Sequence, residues 1–173
     1  QSDVGGGGLL DIGCYCVSSS RWICDKEPER VVGLFDKDPS FGTDRLASGI
    51  LDFGNGLQAS FTCSTQVAQY QRVNILGTHG RVEIDIPFNA PPDRPCRVSL
   101  YPGTHSAQGR FEPTDSQVLD MNICDQYTLQ GEAISLAILN DEPVPYGLDD
   151  AVRNMRTLEA LRNSSESSAW IVL

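Results

Sequence analysis

Asp11 and Tyr15 stand four residues apart in the stretch Leu9-Leu10-Asp11-Ile12-Gly13-Cys14-Tyr15. On a helix that spacing places both on one face, one turn apart. A phenol exchanges a proton usefully when a nearby cation lowers its pKa from about 10, or when its partner is a strongly basic alkoxide. A carboxylate one turn earlier could orient the phenol or hold a substrate hydroxyl. Periodicity alone also reads the same pair as a half-buried aromatic and a helix first-turn acid, and both readings stand at this point.

Other reactive residue types fall in less promising contexts. His79 sits between Thr78 and Gly80 in a turn, and His105 lies in a loop of small polar residues. Neither has a partner at a spacing that would make a nucleophile–base pair. Asp149 and Asp150 read as helix-start acids, and no His or carboxylate cluster suggests a metal site. Cys14, Cys16, Cys24, Cys63, Cys96 and Cys124 contain no CxxC pair. Their even number permits three disulfides. A chain this long does not need them, and free cysteine behaves as a small hydrophobe, so buried thiols in a reducing compartment, the cytoplasm, are expected. The run Gly5–Gly8 lacks the preceding strand and the following acidic residue of a dinucleotide fingerprint, and reads as the lead into a helix.

The elements that must position these residues follow from hydrophobic period. Residues 9–24 read as a helix whose apolar stripe is Leu9, Ile12, Cys16, Ser20 and Ile23, with Asp11, Tyr15 and Trp22 on a more polar face. Lys26 to Pro28 end it. The period then switches to two. Strands are expected over 31–36, through Ala47, Gly49, Leu51 and Phe53, and through Ala59, Phe61 and Cys63. Gly54-Asn55-Gly56 supplies the hairpin turn between the latter two. Further strands are expected around Val73 and Ile75, and through Val82, Ile84 and Ile86, with weaker ones near 97–101 and 117–121. Residues 87–95 carry four prolines and must form an extended loop. Gln126–Leu139 and Leu148–Asn163 return to helix, the second with Ala151, Val152, Met155, Leu158 and Leu161 inward. A helix, then a run of strands, then two helices indicates one α+β domain over 1–173: an open, mostly antiparallel sheet of about six strands with helices on one face. The opposite sheet face is left either to solvent or to a second copy of the chain.

Composition narrows the partners. Of 173 residues, 40% are hydrophobic and 21% charged, with 13 Lys+Arg against 23 Asp+Glu and a net charge of −10. An acidic chain of sequence pI near 4.5 is a poor counterion substitute on a phosphate backbone and is not drawn to an anionic membrane. No apolar run approaches the roughly 18 residues of a membrane span. Nucleic acid and membrane are therefore not expected partners. The chain opens on Gln1, which reads as part of something longer.

The stretch GGGGLLDIGCYCVSSSRWI resembles the opening of the second domain of the Gfo/Idh/MocA family of NAD(P)-dependent oxidoreductases, where a glycine-containing turn leads to a helix with the pattern D-x-G-x-[HY]. The resemblance continues through FGTDRLASGILDF, QASFTCSTQ, ILGTHGRVEIDIPFNAPPDRP and DQYTLQGEAISLAI, and so covers nearly the whole chain. It implies a C-terminal domain like that of glyceraldehyde-3-phosphate dehydrogenase, which closes over a small-molecule substrate and builds a homodimer or larger homo-oligomer through its open sheet face. It implies NAD or NADP bound by an N-terminal Rossmann domain that is not in this sequence. The family's Glu-Lys-Pro lysine has no counterpart here, so the fragment alone is expected to be inactive. Tyr15 stands where many members have His, and by that match is the proton donor or acceptor at the substrate oxygen. Asp11 matches the acid that orients the substrate. Tyr at this position is similar to the glucose–fructose oxidoreductase and dihydrodiol dehydrogenase branch. The implied function is hydride transfer between a nicotinamide cofactor and a sugar-like or other hydroxylated substrate. The competing expectation is a non-catalytic, acidic α+β dimerisation or ligand-binding module.

Overall fold

A computed structural model of the chain describes residues 5–173. A π-helical turn, Leu9–Gly13, runs directly into helix α1, Cys14–Cys24. Strands β1 (Arg30–Lys37), β2 (Asp44–Asp52) and β3 (Gln58–Ser64) follow. Next come β4 (Val73–Gly77), β5 (Gly80–Ile84), β6 (Arg97–His105), β7 (Phe111–Pro113) and β8 (Gln117–Asp120). Helices α2 (Gln126–Asn140) and α3 (Leu148–Ser167) and a short β9 (Ile171–Val172) complete the order. The α+β class stands as expected. The strands number nine among the described residues, not about six, and hydrogen-bond into two sheets instead of one. The chain divides into two compact units, the residues up to Ala68 with Pro145–Leu173, and Gln69–Val144.

The first unit holds the sheet β3-β2-β1-β9. Alternation behaves as the sequence predicts. Val31, Ala47, Leu51, Phe53 and Cys63 share one face with the helices and join Leu9, Val17, Leu158, Ala160 and Leu161 in the core. The opposite face carries Ser48 and Thr62, hydroxyl to hydroxyl at 2.9 Å, beside exposed Leu34 and Ile50. Two helix expectations need correction. In α3 the buried residues are Thr157, Leu158, Ala160, Leu161 and Ser164, while Ala151, Val152 and Met155 are exposed. The inward face thus lies further along the helix, because only its second half crosses the sheet. In the first helix the most buried residues are Leu9, Gly13, Val17 and Arg21, not Ile12, Cys16 and Ser20. The wider π turn shifts the phase of the stripe, and a buried arginine does not register as apolar.

Arg21 is held by charge. Its Nε and Nη2 each lie 2.7 Å from the Glu27 carboxylate, and Nη2 also meets Asp150 of α3 at 2.8 Å. Arg153 closes the group with an ion pair to Glu27 at 3.0 Å. Asp150 therefore serves a helix-to-helix clamp beyond any helix-start role.

The sheet edge along β1 is closed by side chains. After two residues of pairing with β9, the N–H groups of Gly33 and Phe35 donate to the hydroxyls of Ser164 and Ser165 at 3.0 and 3.1 Å. Backbone donors that would otherwise be unpaired in a packed edge are satisfied by α3 itself.

In the second unit β4, β5, β6 and β7 run in order, and β8 also pairs with β6. Ile75, Val82 and Leu100 form a cross-strand row, with Val73, Ile84, Val98 and Leu119 in the next. The Arg81 guanidinium lies 4.0 Å from the centre of the Tyr101 ring. His79 is an exposed turn residue, as expected, whereas His105, expected in a loop, is the exposed last residue of β6, paired with Phe111 of β7, and its Nε2 lies 2.8 Å from the Thr78 carbonyl oxygen. Helix α2 begins at Asp125, whose side chain accepts from Tyr127 N–H. Although apolar, it buries Ala137 alone among the described residues, and Leu129, Leu136, Ile138 and Leu139 are exposed.

Candidate active site

The helix carrying Asp11 and Tyr15 starts without a cap of its own. Gly8 occupies the cap position and offers no side chain. The Leu9 N–H instead donates to Oδ2 of Asp44, 35 residues away, at 2.5 Å. A carboxylate at that place satisfies one of the free N–H groups of the first turn and complements the positive end of the helix dipole. Asp11 N–H bonds back to the Gly7 carbonyl at 3.1 Å, which closes the turn.

Asp44 reaches the helix because of a β-bulge. Along β1 and β2 the register runs Asp36↔Leu46 and then Lys37↔Asp44, which leaves Arg45 unopposed. One extra residue turns the side chains beyond it onto the other face. Asp44, an even-numbered residue in a strand whose odd-numbered residues face the helices, is thereby aimed at the helix start. Arg45 bonds the Asp36 carboxylate across the strands at 2.5 Å.

Around this point lies a cavity of about 350 Å³. Its lining is polar: the Gly5–Gly7 backbone, Asp11, Thr43, Asp44, Arg45, Thr65 and Gln66, with Leu10 as the apolar member. Hydroxyls, carboxylates, an amide and a guanidinium around one space suit a ligand that carries several hydroxyl groups. Asp11 is exposed to it. Tyr15, 50% exposed, lies on the same outward face one turn further along and is not part of the lining. The structure thus keeps both predicted residues accessible on one helix and brings only Asp11 into the cavity. Behind the helix, burial pushes the Cys16 thiol up to about 11 and the Cys63 thiol up to about 12. These are inert packing groups. All six cysteines are free, and no cluster of three or more potential metal ligands occurs among the described residues.

Residues 1–83 match the sequence model of the GFO/IDH/MocA C-terminal domain. Over nearly its whole length, the chain is 38% identical over 170 residues to an uncharacterised oxidoreductase of Rhizobium meliloti, covering 98% of this chain and 49% of that protein. It is 28% identical over 171 residues to the D-xylose 1-dehydrogenase (NADP(+)) 2 of Haloferax volcanii, covering 99% of this chain and 49% of the relative. Among solved structures, the aldose-aldose oxidoreductase from Caulobacter crescentus, complexed with glycerol, superimposes with a TM-score of 0.74 at 25% identity, over 98% of this chain and 48% of that one. The chain spans about half the length of these relatives.

The described residues do not form a Rossmann-type dinucleotide site. Every strand pair among them is antiparallel, so there is no parallel strand–glycine turn–helix unit to cradle a pyrophosphate. Among the described residues no helix is long and apolar enough to cross a membrane. Sequence reasoning missed Thr43, Asp44, Arg45, Thr65 and Gln66 as cavity residues. The only local signal was an acid just ahead of an alternating strand, and nothing in that signal points back to Leu9.

Proposed function

We propose that this chain is the substrate-binding part of an NADP-dependent oxidoreductase acting on an aldose-like, polyhydroxylated substrate. The observation that carries the reading is the polar cavity at the start of the helix that bears Asp11 and, one turn on, Tyr15. The names of the Haloferax and Caulobacter relatives, a D-xylose dehydrogenase and an aldose oxidoreductase holding glycerol, support a polyol substrate. NADP, which exchanges hydride with substrate carbon in such enzymes, is assigned to chain outside the described residues.

The residues present then have separable tasks. Asp11 accepts a hydrogen bond from a substrate hydroxyl and fixes the sugar's orientation. Tyr15 exchanges a proton with the oxygen on the reacting carbon. Arg45, Gln66 and the two threonines read the remaining hydroxyls. The cytoplasm is the proposed compartment, supported by six free thiols. A homo-oligomer is proposed through the apolar rows of β4, β5, β6 and β8; sedimentation of the purified protein as a monomer at high concentration would refute it.

The deciding experiment uses the full-length gene product with NADP+ and D-xylose, D-glucose or glycerol as probes. Reduction of NADP+ by an aldose, lowered about 10²–10⁴-fold in kcat by Tyr15→Phe, supports the reading. Full activity in Tyr15→Phe removes Tyr15 from catalysis. No reduction with any probe, in a folded protein, favours a non-catalytic binding module.

A further inference from the structure

We propose that Asp44 is a positioning residue that latches the helix start and thereby aims Asp11 and Tyr15; this rests on the functional reading above. Three independent features meet at its carboxylate. It accepts the Leu9 N–H at 2.5 Å, a donor that the helix's own Gly8 cap leaves unsatisfied. A Cβ on Gly7, whose φ is +134°, would lie 2.1 Å from Asp44 Oδ1, so the glycine turn is shaped around this side chain. The β-bulge at Arg45 exists in a strand otherwise regular to Asp52, and its effect is to turn Asp44 towards the helix.

The latch acts on geometry without touching the reacting atoms. Leu9–Gly13 is a π turn, in which each hydrogen bond spans one more residue than in an α-helix. The direction in which Asp11 points depends on that hydrogen-bond pattern. Anchoring Leu9 from β2 selects the observed arrangement. Cys63 of β3, whose thiol lies 3.6 Å from the Gly8 carbonyl oxygen, adds a weak second tie to the same turn. The carboxylate also lines the cavity beside Asp11, so losing it leaves both a loose helix start and a vacant wall.

The test compares Asp44→Ala, Asp44→Asn and Gly7→Ala in the full-length protein, with D-xylose and NADP+ as probes and Tyr15→Phe as reference. Displacing a reacting group by about 1 Å costs on the order of 10²-fold, so Asp44→Ala should lower kcat by about that factor, and KM should rise as well because the carboxylate lines the cavity. Asp44→Asn keeps an acceptor oxygen for Leu9 N–H and should restore most of kcat. Gly7→Ala, which pushes the carboxylate off Leu9, should reproduce Asp44→Ala, and so serves if that variant does not fold. Hydrogen exchange read in the folded proteins should quicken over residues 8–15 in Asp44→Ala and Gly7→Ala but not in Asp44→Asn. If Asp44→Ala keeps wild-type kcat and exchange while Tyr15→Phe is impaired, the positioning role alone is overturned. If Tyr15→Phe is fully active, or no aldose is oxidised, the functional reading fails and the positioning role with it.

Discussion

A Cβ placed on Gly33 would lie 2.5 Å from the carbonyl oxygen of Leu161, so α3 crosses β1 at a separation that only glycine allows. Gly49, its cross-strand partner, leaves room for the Leu161 side chain in the same way. The contact brings Ser164 and Ser165 within reach of the β1 backbone. Gly33→Ala should therefore overpack the crossing and destabilise the protein by about 1–3 kcal/mol. The shift in urea midpoint measures it, and an unchanged midpoint would contradict the close approach.

Ser164→Ala tests the edge closure separately. The hydroxyl accepts from Gly33 N–H and donates to the Ala169 carbonyl in a fully buried position. Removing it takes the partner from the Gly33 N–H, at a cost of about 1–3 kcal/mol, while the carbonyl of exposed Ala169 can turn to water. Ser165→Ala, at a less buried residue with one such bond, should cost less. Equal effects from the two variants would argue against the burial difference.

The Arg21 group makes a prediction about acid. Arg21 holds the Glu27 carboxyl below its ordinary value of 4.5, against a smaller opposing effect of burial. A depressed folded pKa means that this stabilisation is full above the unfolded value and is lost as pH falls through the folded one. Melting temperature should accordingly drop on acidification below about pH 4.5, and the drop should be shallower in Glu27→Gln. Parallel curves for the two proteins would show that Glu27 is not the group responsible.

Thiol reactivity separates packing cysteines from surface ones. At pH 8 a disulfide reagent should modify exposed Cys124 quickly, whereas Cys16 and Cys63, pushed up to about 11 and about 12 by burial, should react only on unfolding. Peptide mass mapping at early times reads this directly. Early labelling of Cys63 would contradict the packing behind the helix.

Much of the fold was present in residue order. The alternation of Ala47, Gly49, Leu51 and Phe53, and of Ala59, Phe61 and Cys63, determined the strands, their inward face and the hairpin at Asn55, whose φ of +54° is the left-handed value that an Asn-Gly turn calls for. The four-residue spacing of Asp11 and Tyr15 determined that they share the helix's outward face. These properties are local, set by side-chain period and backbone preference within a few residues. The buried Arg21, the inward half of α3, the division of the strands into two sheets and the Asp44 latch were decided only by tertiary structure. Each depends on a partner far away in sequence, as with Leu9 and Asp44, and on one bulged residue that reverses which face Asp44 occupies. A period of two carries no record of where it slips, and the chemistry of this helix start depends on that slip.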